Sequence, residues 1–506
     1  MKFKDYLVPI GLTVITFVLI NKFFFSSPTE VNSLQTRSGE QFSSPTLNRE
    51  IDFVDEKRRG RAEKTEVETD LAKFVFTTDG GTLDRLEMKR TTNGTTKLIN
   101  TVFPVDFTRR EDSCFLVALD EKTPFYYDFV DTKETESEIK VHYRYSSADV
   151  NVDKIYTIFK ETNKVNLTIE VDPKKAAVAG VVPRLLFPSP YMADVAEAPS
   201  AVLENKKGKI TKISGTGIEE KDWWHSPTLF GSENKYFSHT MVADRDQFVQ
   251  QAFFRGKDDK KIVTILEGPK VTEKTSWTLS FYVGPKEDQA VVLVDSRLEQ
   301  TLGYSGWFYW FSKLLLSILK YFYKYLGSYG WAIILLTVLM RLLMLPFTYK
   351  SEQSNKKRVE LQRKLKYLEQ KYKHDKELLA REKAELIKKH GMPGLGGCLP
   401  LLFQLPLFIG LSSALRSSVE FYQAPFFIWS DLSAPDPYYI LPLLMAGAMV
   451  LQGLLGDKST RMMFIVMGLV FGVFLKGLSA GLLLYISVST LLGLAQTTIQ
   501  KKLKKA

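Results

Sequence analysis

Five times between residue 329 and the C-terminus the sequence runs apolar for the length of a membrane-crossing helix or nearly so: 329–349, 398–415, 438–455, 462–475 and 478–496. About 20 helical residues, rising ~1.5 Å each, span a hydrocarbon core of ~30 Å. A sixth run, 6–25, follows Lys2 and Lys4 and ends in the bulky Lys22-Phe23-Phe24-Phe25. With no small-residue cleavage site, residues 1–25 read as an uncleaved anchor rather than a signal peptide. The expected fold is a multi-domain membrane protein with six spans, five of them in a helical core at 327–506. The 462–475 run is short, roughly 21 Å of helix, and predicts local thinning of the bilayer.

The chain carries a formal charge of +11 over 506 residues. Its location excludes a specific nucleic-acid site, because the surplus sits beside the apolar runs. Residues 350–390 hold 14 Lys and Arg against 7 Asp and Glu, and Lys501, Lys502, Lys504 and Lys505 end the chain. Residues 418–437 hold no basic residue, but carry Glu420, Asp431 and Asp436. Positive charge concentrates on cytoplasmic loops, so both termini are expected in the cytoplasm. Arg416 and Lys476 are the contrary charges.

Between anchor and core the signals change. Residues 26–70 are rich in Ser, Thr, Glu and Arg and read as a flexible linker. Residues 71–300 read as strands: 73–77, a turn at Asp79-Gly80-Gly81, then 82–88, with period-2 alternation at 165–171 and 276–283. An all-β sandwich outside the cytoplasm is expected. Residues 301–326 follow as an amphipathic segment. Its Lys313, Ser317, Lys320 and Lys324 share one helical face and its aromatic residues the other, which describes a helix in the membrane interface or an ordinary packed helix. Residues 350–390 predict two charged helices broken near His374-Asp375: a solvated loop, or a cytoplasmic docking arm.

Enzyme signatures fail on context. Gly477 to Gly481 matches G-x-S-x-G but lies between two spans rather than between a strand and a helix. The five histidines lack metal-ligand spacing, and no Walker A loop exists. No metal, cofactor or catalysis is expected. Cys114 and Cys398 fall in different compartments and should not pair. The Gly468–Gly472 step predicts close helix packing.

Arg341 is the informative residue. It lies inside the first core span, and no span carries an interior Asp or Glu to neutralise it. A charge at that depth marks a water-filled cavity, or snorkels toward the surface. Thr337, Gln404, Gln452, Tyr485 and Ser489 are the polar side chains that could share such a cavity or simply bond helices together. Two other classes remain open at this point. A secondary transporter would bind an anionic substrate at Arg341 and should show repeated halves. A membrane-anchored enzyme would need paired carboxylates in the external domain.

Three stretches carry a resemblance: Gly396-Gly397-Cys398-Leu399-Pro400 through Gln404-Leu405-Pro406, Asp431-Leu432-Ser433-Ala434-Pro435-Asp436-Pro437 through Pro442, and Ser479-Ala480-Gly481 through Tyr485. In order and spacing they resemble the YidC family of bacterial inner-membrane insertases, in its form with a large periplasmic domain. Gly231 to Phe237 is the most family-like piece of that domain. The resemblance implies a five-helix core with a hydrophilic groove and an arginine in it, which Arg341 matches. It implies nascent membrane proteins as substrates, inserted alone or with the Sec translocon. It also implies recruitment of ribosomes or targeting factors by the hairpin and basic tail, amid membrane lipid. The 456–461 link is shorter than the family's pattern leads one to expect.

Overall fold

The computed structural model describes residues 51–54, 62–92, 95–104, 107–119, 123–174, 182–192, 198–205, 208–218, 223–257, 261–302, 309–373, 375–390, 399–455 and 458–503. The expected anchor (1–25), most of the expected linker, Cys398 and the end of the basic tail lie outside these residues. The chain divides into two compact units: residues 27–303 with 417–419, which hold the sheets, and the rest, which holds the helices from Tyr309 on.

The first unit holds three antiparallel sheets. Nine strands line up in space as Ile210–Ser214, Ser200–Glu204, Phe230–Glu233, Phe237–Asp244, Thr275–Pro285, Lys164–Pro173, Val150–Phe159, Glu138–Ser146 and Asp128–Glu134. Alternation builds them: in Lys164–Pro173 the buried residues are Val165, Leu167, Ile169 and Val171. A five-stranded sheet (Leu116–Ala118, Arg184–Pro188, Lys261–Glu267, Gln251–Lys257, Trp223–His225) and a four-stranded sheet (Lys64–Glu68, Ala72–Thr77, Thr82–Thr92, Thr95–Asn100) cover one face of the large sheet. Phe187 and Phe115 meet Phe281 at 5.5 and 4.9 Å, Phe230 stacks on Phe254 at 4.0 Å, and Phe76 meets Tyr156 at 4.6 Å. Each such fully buried ring contributes roughly 1.5–3 kcal/mol by leaving water. The sandwich is therefore two layers, one of them split into two sheets.

Its earliest strand starts before the sequence suggests. Lys64–Glu68 pairs with Ala72–Thr77, although residues 26–70 read as linker. Lys64, Glu66 and Glu68 face solvent and only Val67 is fully buried, so outward charges mask the strand pattern. The Asp79-Gly80-Gly81 turn forms as expected, with φ of 68° and 54° at the two glycines, where a Cβ is disfavoured. Lys154, 0% exposed, donates to the carbonyls of Gly80 (2.9 Å) and Phe115 (2.6 Å), tying that turn to the core. Burial holds its ammonium well below the ordinary lysine range. Glu233, in the family-like 231–237 stretch, accepts from Lys212 (2.6 Å) and Lys286 (2.8 Å). Burial pushes its carboxyl up, and the two ammoniums outweigh this and hold it below the usual range.

The helices are α1 (Asp288–Val294), α2 (Tyr309–Leu326), α3 (Tyr329–Lys371), α4 (Lys376–His390), α5 (Leu399–Ser417), α6 (Ile440–Leu455), α7 (Lys458–Phe474) and α8 (Ala480–Leu503). Two segments are apolar and long enough to cross a membrane alone, Tyr329–Pro346 and Ala480–Ile499. Gln404–Leu415, Ile440–Leu455 and Phe464–Gly477 are apolar but shorter. Leu443, Leu451, Leu454, Val466, Leu469, Val473, Leu342 and Leu343 point outward, an apolar surface that suits lipid rather than water.

Three features differ from the sequence reading. First, α3 is one 43-residue helix that contains both the first core span and the first arm of the hairpin expected to begin at 350. Its Lys, Glu, Gln and Leu residues all favour helix, and Pro346 alone interrupts. Second, of the expected 301–326 segment Thr301 closes a 3-10 turn begun at Ser296, residues 303–308 lie outside the described residues, and Tyr309–Leu326 is helix. Third, the outward side of α2 mixes aromatic and apolar residues with Ser317 and Lys324. Ser312, Leu315, Leu316 and Leu319 are buried, while Trp310, Leu314, Tyr321 and Tyr325 are exposed. Lys324 is exposed, but Lys313 and Lys320 are half-buried, and Lys320 pairs with Glu420. The hairpin break falls where expected: Asp375 Oδ1 accepts from Leu378 N (2.9 Å) and so caps α4. Lys383 reaches across to Glu369 at 2.6 Å.

Candidate functional site

A polar cluster forms where α3, α5 and α8 meet. On α8, Tyr485, Ser489 and Gly493 recur every four residues and share one face. Arg341 projects from α3 toward them. Its Nε donates to Ser489 Oγ (3.1 Å) and its Nη2 to the Ser489 carbonyl. From α5, Gln404 Nε2 donates to the Tyr485 hydroxyl (2.7 Å) and more weakly to Ser489 Oγ (3.4 Å). Four of the six residues expected to line a groove thus meet in one hydrogen-bonded group.

The other two stand apart. Thr337 is buried and donates to the Ile333 carbonyl of its own helix (2.7 Å). Gln452 is half-buried on α6, and no hydrogen bond joins it to the cluster among the described residues. Gly493 was not singled out from the sequence. A Cβ there would lie 3.2 Å from Arg341 Nη2, so glycine leaves room for the guanidinium. Its position one turn after Ser489 was the available signal.

No carboxylate pairs with Arg341 among the described residues. Its partners are neutral oxygens on α8. A guanidinium has five N–H donors, and the two bonds described leave donors for water or an anionic guest.

The far end of the helices is closed by the 418–439 loop. Asp436, buried, accepts from Trp429 Nε1 (2.8 Å), Tyr438 N (3.0 Å) and Leu441 N (2.8 Å), fixing the loop and capping α6. Ala480 N donates to Ala434 O (2.7 Å) and Gly481 N to Leu432 O (2.8 Å), so two of the recognised stretches pair with each other. A Cβ on Gly481 would press Leu432 O at 3.1 Å and Ile333 at 3.3 Å. The G-x-S-x-G stretch is this junction. Phe426 lies over Gly330 of α3, where a Cβ would come within 2.1 Å of its ring.

An antiparallel β-domain joined to a set of apolar, lipid-suited helices defines a membrane protein with a large domain outside its helical core. Residues 64–318 match the family described as the YidC periplasmic domain, and residues 321–506 match the 60Kd inner membrane protein family. The chain is 32% identical to the membrane protein insertase YidC of Geobacter sp. (strain M21), over 69% of this chain and 68% of that one. It is 31% identical to that of Citrifermentans bemidjiense, over 86% and 84%. A crystal structure of an active YidC insertase with its first transmembrane domain resolved aligns over 97% of this chain and 99% of its own, at 21% identity and a TM-score of 0.39. The chain belongs to the YidC family of membrane protein insertases, with a periplasmic β-domain.

Proposed function

We propose that this inner-membrane insertase receives the polar flank of a nascent membrane segment in a hydrophilic groove, with Arg341 as the groove's fixed cation. The observation that carries this is the partner set of Arg341: a permanent charge whose described partners are all neutral oxygens. Holding such a charge at depth costs several kcal/mol unless water or an acid solvates it. An acidic residue 4 Å away at an effective dielectric of ~20 gains on the order of 4 kcal/mol. Gln404, Tyr485 and Ser489 supply neutral hydrogen-bonding groups beside it.

In this reading the anchor and the five core helices make six spans, with both termini in the cytoplasm and the 418–439 loop in the periplasm. The apolar part of the substrate slides along α5 and α7 into lipid. The short apolar run 462–475, most of α7, thins the bilayer and shortens the polar crossing. For acidic tails moving outward, the membrane potential adds ~2.3 kcal/mol per charge per 100 mV. No covalent bond is made or broken, and no metal or cofactor takes part. The hairpin and basic tail recruit ribosomes or targeting factors, and larger substrates pass with the Sec translocon.

The test is protease protection of short membrane proteins in liposomes containing only this protein. Arg341→Ala should reduce insertion of acidic-tailed substrates about tenfold, equivalent to about 1.4 kcal/mol, and spare neutral-tailed ones. Equal loss for both tails would sink the attraction.

A further inference from the structure

We infer that the tip of the 418–439 loop, Phe427-Ile428, is a lipid anchor seated at the headgroup–acyl boundary; this rests on the reading that the apolar helices cross the bilayer. Phe426 N donates to Trp429 O (2.8 Å) and Trp429 N to Phe426 O (3.0 Å), closing a two-residue turn. Both base residues are locked inward. Phe426 fills the notch at Gly330, and Trp429 is held by Asp436. The tip is turned out, with Phe427 76% and Ile428 52% exposed.

This tip breaks two rules at once. Turn tips take Gly, Asn or Asp, and Phe427 sits at φ 50°, in the left-handed region that disfavours a residue bearing a side chain. A large ring exposed to water adds to that cost. Lipid offsets the exposure, and the position supports it. Trp331, at the start of α3, meets Phe427 at 5.8 Å, and the exposed Tyr438 and Tyr439 precede α6. Aromatic side chains at the beginnings of two apolar helices mark the interfacial belt. The rigid base sets the depth at which the tip enters, so the loop closing this end of the helices is held to the membrane surface.

The test places an environment-sensitive fluorophore on Ile428→Cys or, separately, Phe427→Cys in the full chain with Cys114→Ala and Cys398→Ala. A reporter on the outward-facing Leu469→Cys of α7 serves as the control for spanning. Liposomes carry spin-labelled lipids quenching either near the glycerol or at the chain ends, with iodide as the aqueous quencher. Loop reporters quenched by the shallow lipid label and spared by iodide are expected. Loop reporters quenched by iodide alone, with Leu469→Cys still quenched by lipid, would overturn the anchor and leave the spans intact. Loss of lipid quenching at Leu469→Cys as well would remove the spanning reading, and the anchor with it.

Discussion

Arg341 and Lys154 are two cations withdrawn from water in opposite ways. Lys154 is enclosed, with two carbonyls accepting its hydrogen bonds and aromatic rings around it. Arg341 is only partly enclosed, and its described bonds run to the hydroxyl and carbonyl of Ser489. Ser489→Ala removes the hydroxyl that accepts from both Arg341 and Gln404. If the proposed groove holds water, this should cost only about 1 kcal/mol in unfolding titrations, because water replaces the lost acceptor. A loss of about 3 kcal/mol, the scale of an unsatisfied buried charge partner, would mean the site is dry. Gly330→Val forces a side chain into the Phe426 ring and should destabilise by about 1–3 kcal/mol, read as a lowered melting temperature in detergent. Arg341 was legible in the sequence because a charge in an apolar run stands out. Gly330 and Gly493 were not, since a glycine's importance depends on what the fold brings against it.

At the scale of elements, small residues bring α6 and α7 into close contact. Gly468 of α7 would set a Cβ 3.0 Å from the Ala446 carbonyl of α6, and Gly472 would set one 3.1 Å from Ala446 Cβ. The small-residue step read from the sequence is therefore the α6–α7 seam. Gly468→Leu should separate the pair and lower the thermal midpoint, with a cost of about 1–3 kcal/mol. Asp436→Ala removes three hydrogen bonds to one buried carboxylate. It should cost about 2–4 kcal/mol and expose the loop to protease, which limited proteolysis would show. The helices were legible because apolar runs bounded by charges leave few alternatives. Two signals misled. Outward charges disguised the Lys64–Glu68 strand, and the change from apolar to charged residues near 350 looked like an end to a helix when only its solvent had changed.

At the scale of the whole molecule, the β-domain has its own core and the helices theirs. Expressed alone, residues 62–302 should unfold in one cooperative transition. That transition should depend on pH through His239, which is buried and whose Nδ1 lies 3.2 Å from the Pro188 carbonyl. Burial lowers its pKa from 6.5 to about 4. The folded domain keeps it neutral while the unfolded chain binds a proton below pH 6.5. Stability therefore falls between about pH 6.5 and 4, by up to about 3 kcal/mol. Denaturant titrations of His239→Gln should lack that portion of the slope. The two-solvent partition was legible from sequence because composition changes abruptly near residue 300. The division of one sandwich layer into two sheets was not, since strand order depends on pairings far apart in the chain. The unbroken α3 has a mechanical consequence. Proline inside a helix deprives the carbonyl four residues earlier, here Leu342, of its donor, and makes that turn the softest. Beyond Pro346 the rod extends to Lys371, about 38 Å. A bend of ~10° at this joint sweeps the far tip by ~7 Å and leaves the turn bearing Arg341 in place. Whatever pulls on the hairpin moves an oar in its rowlock, and the boat's keel does not shift.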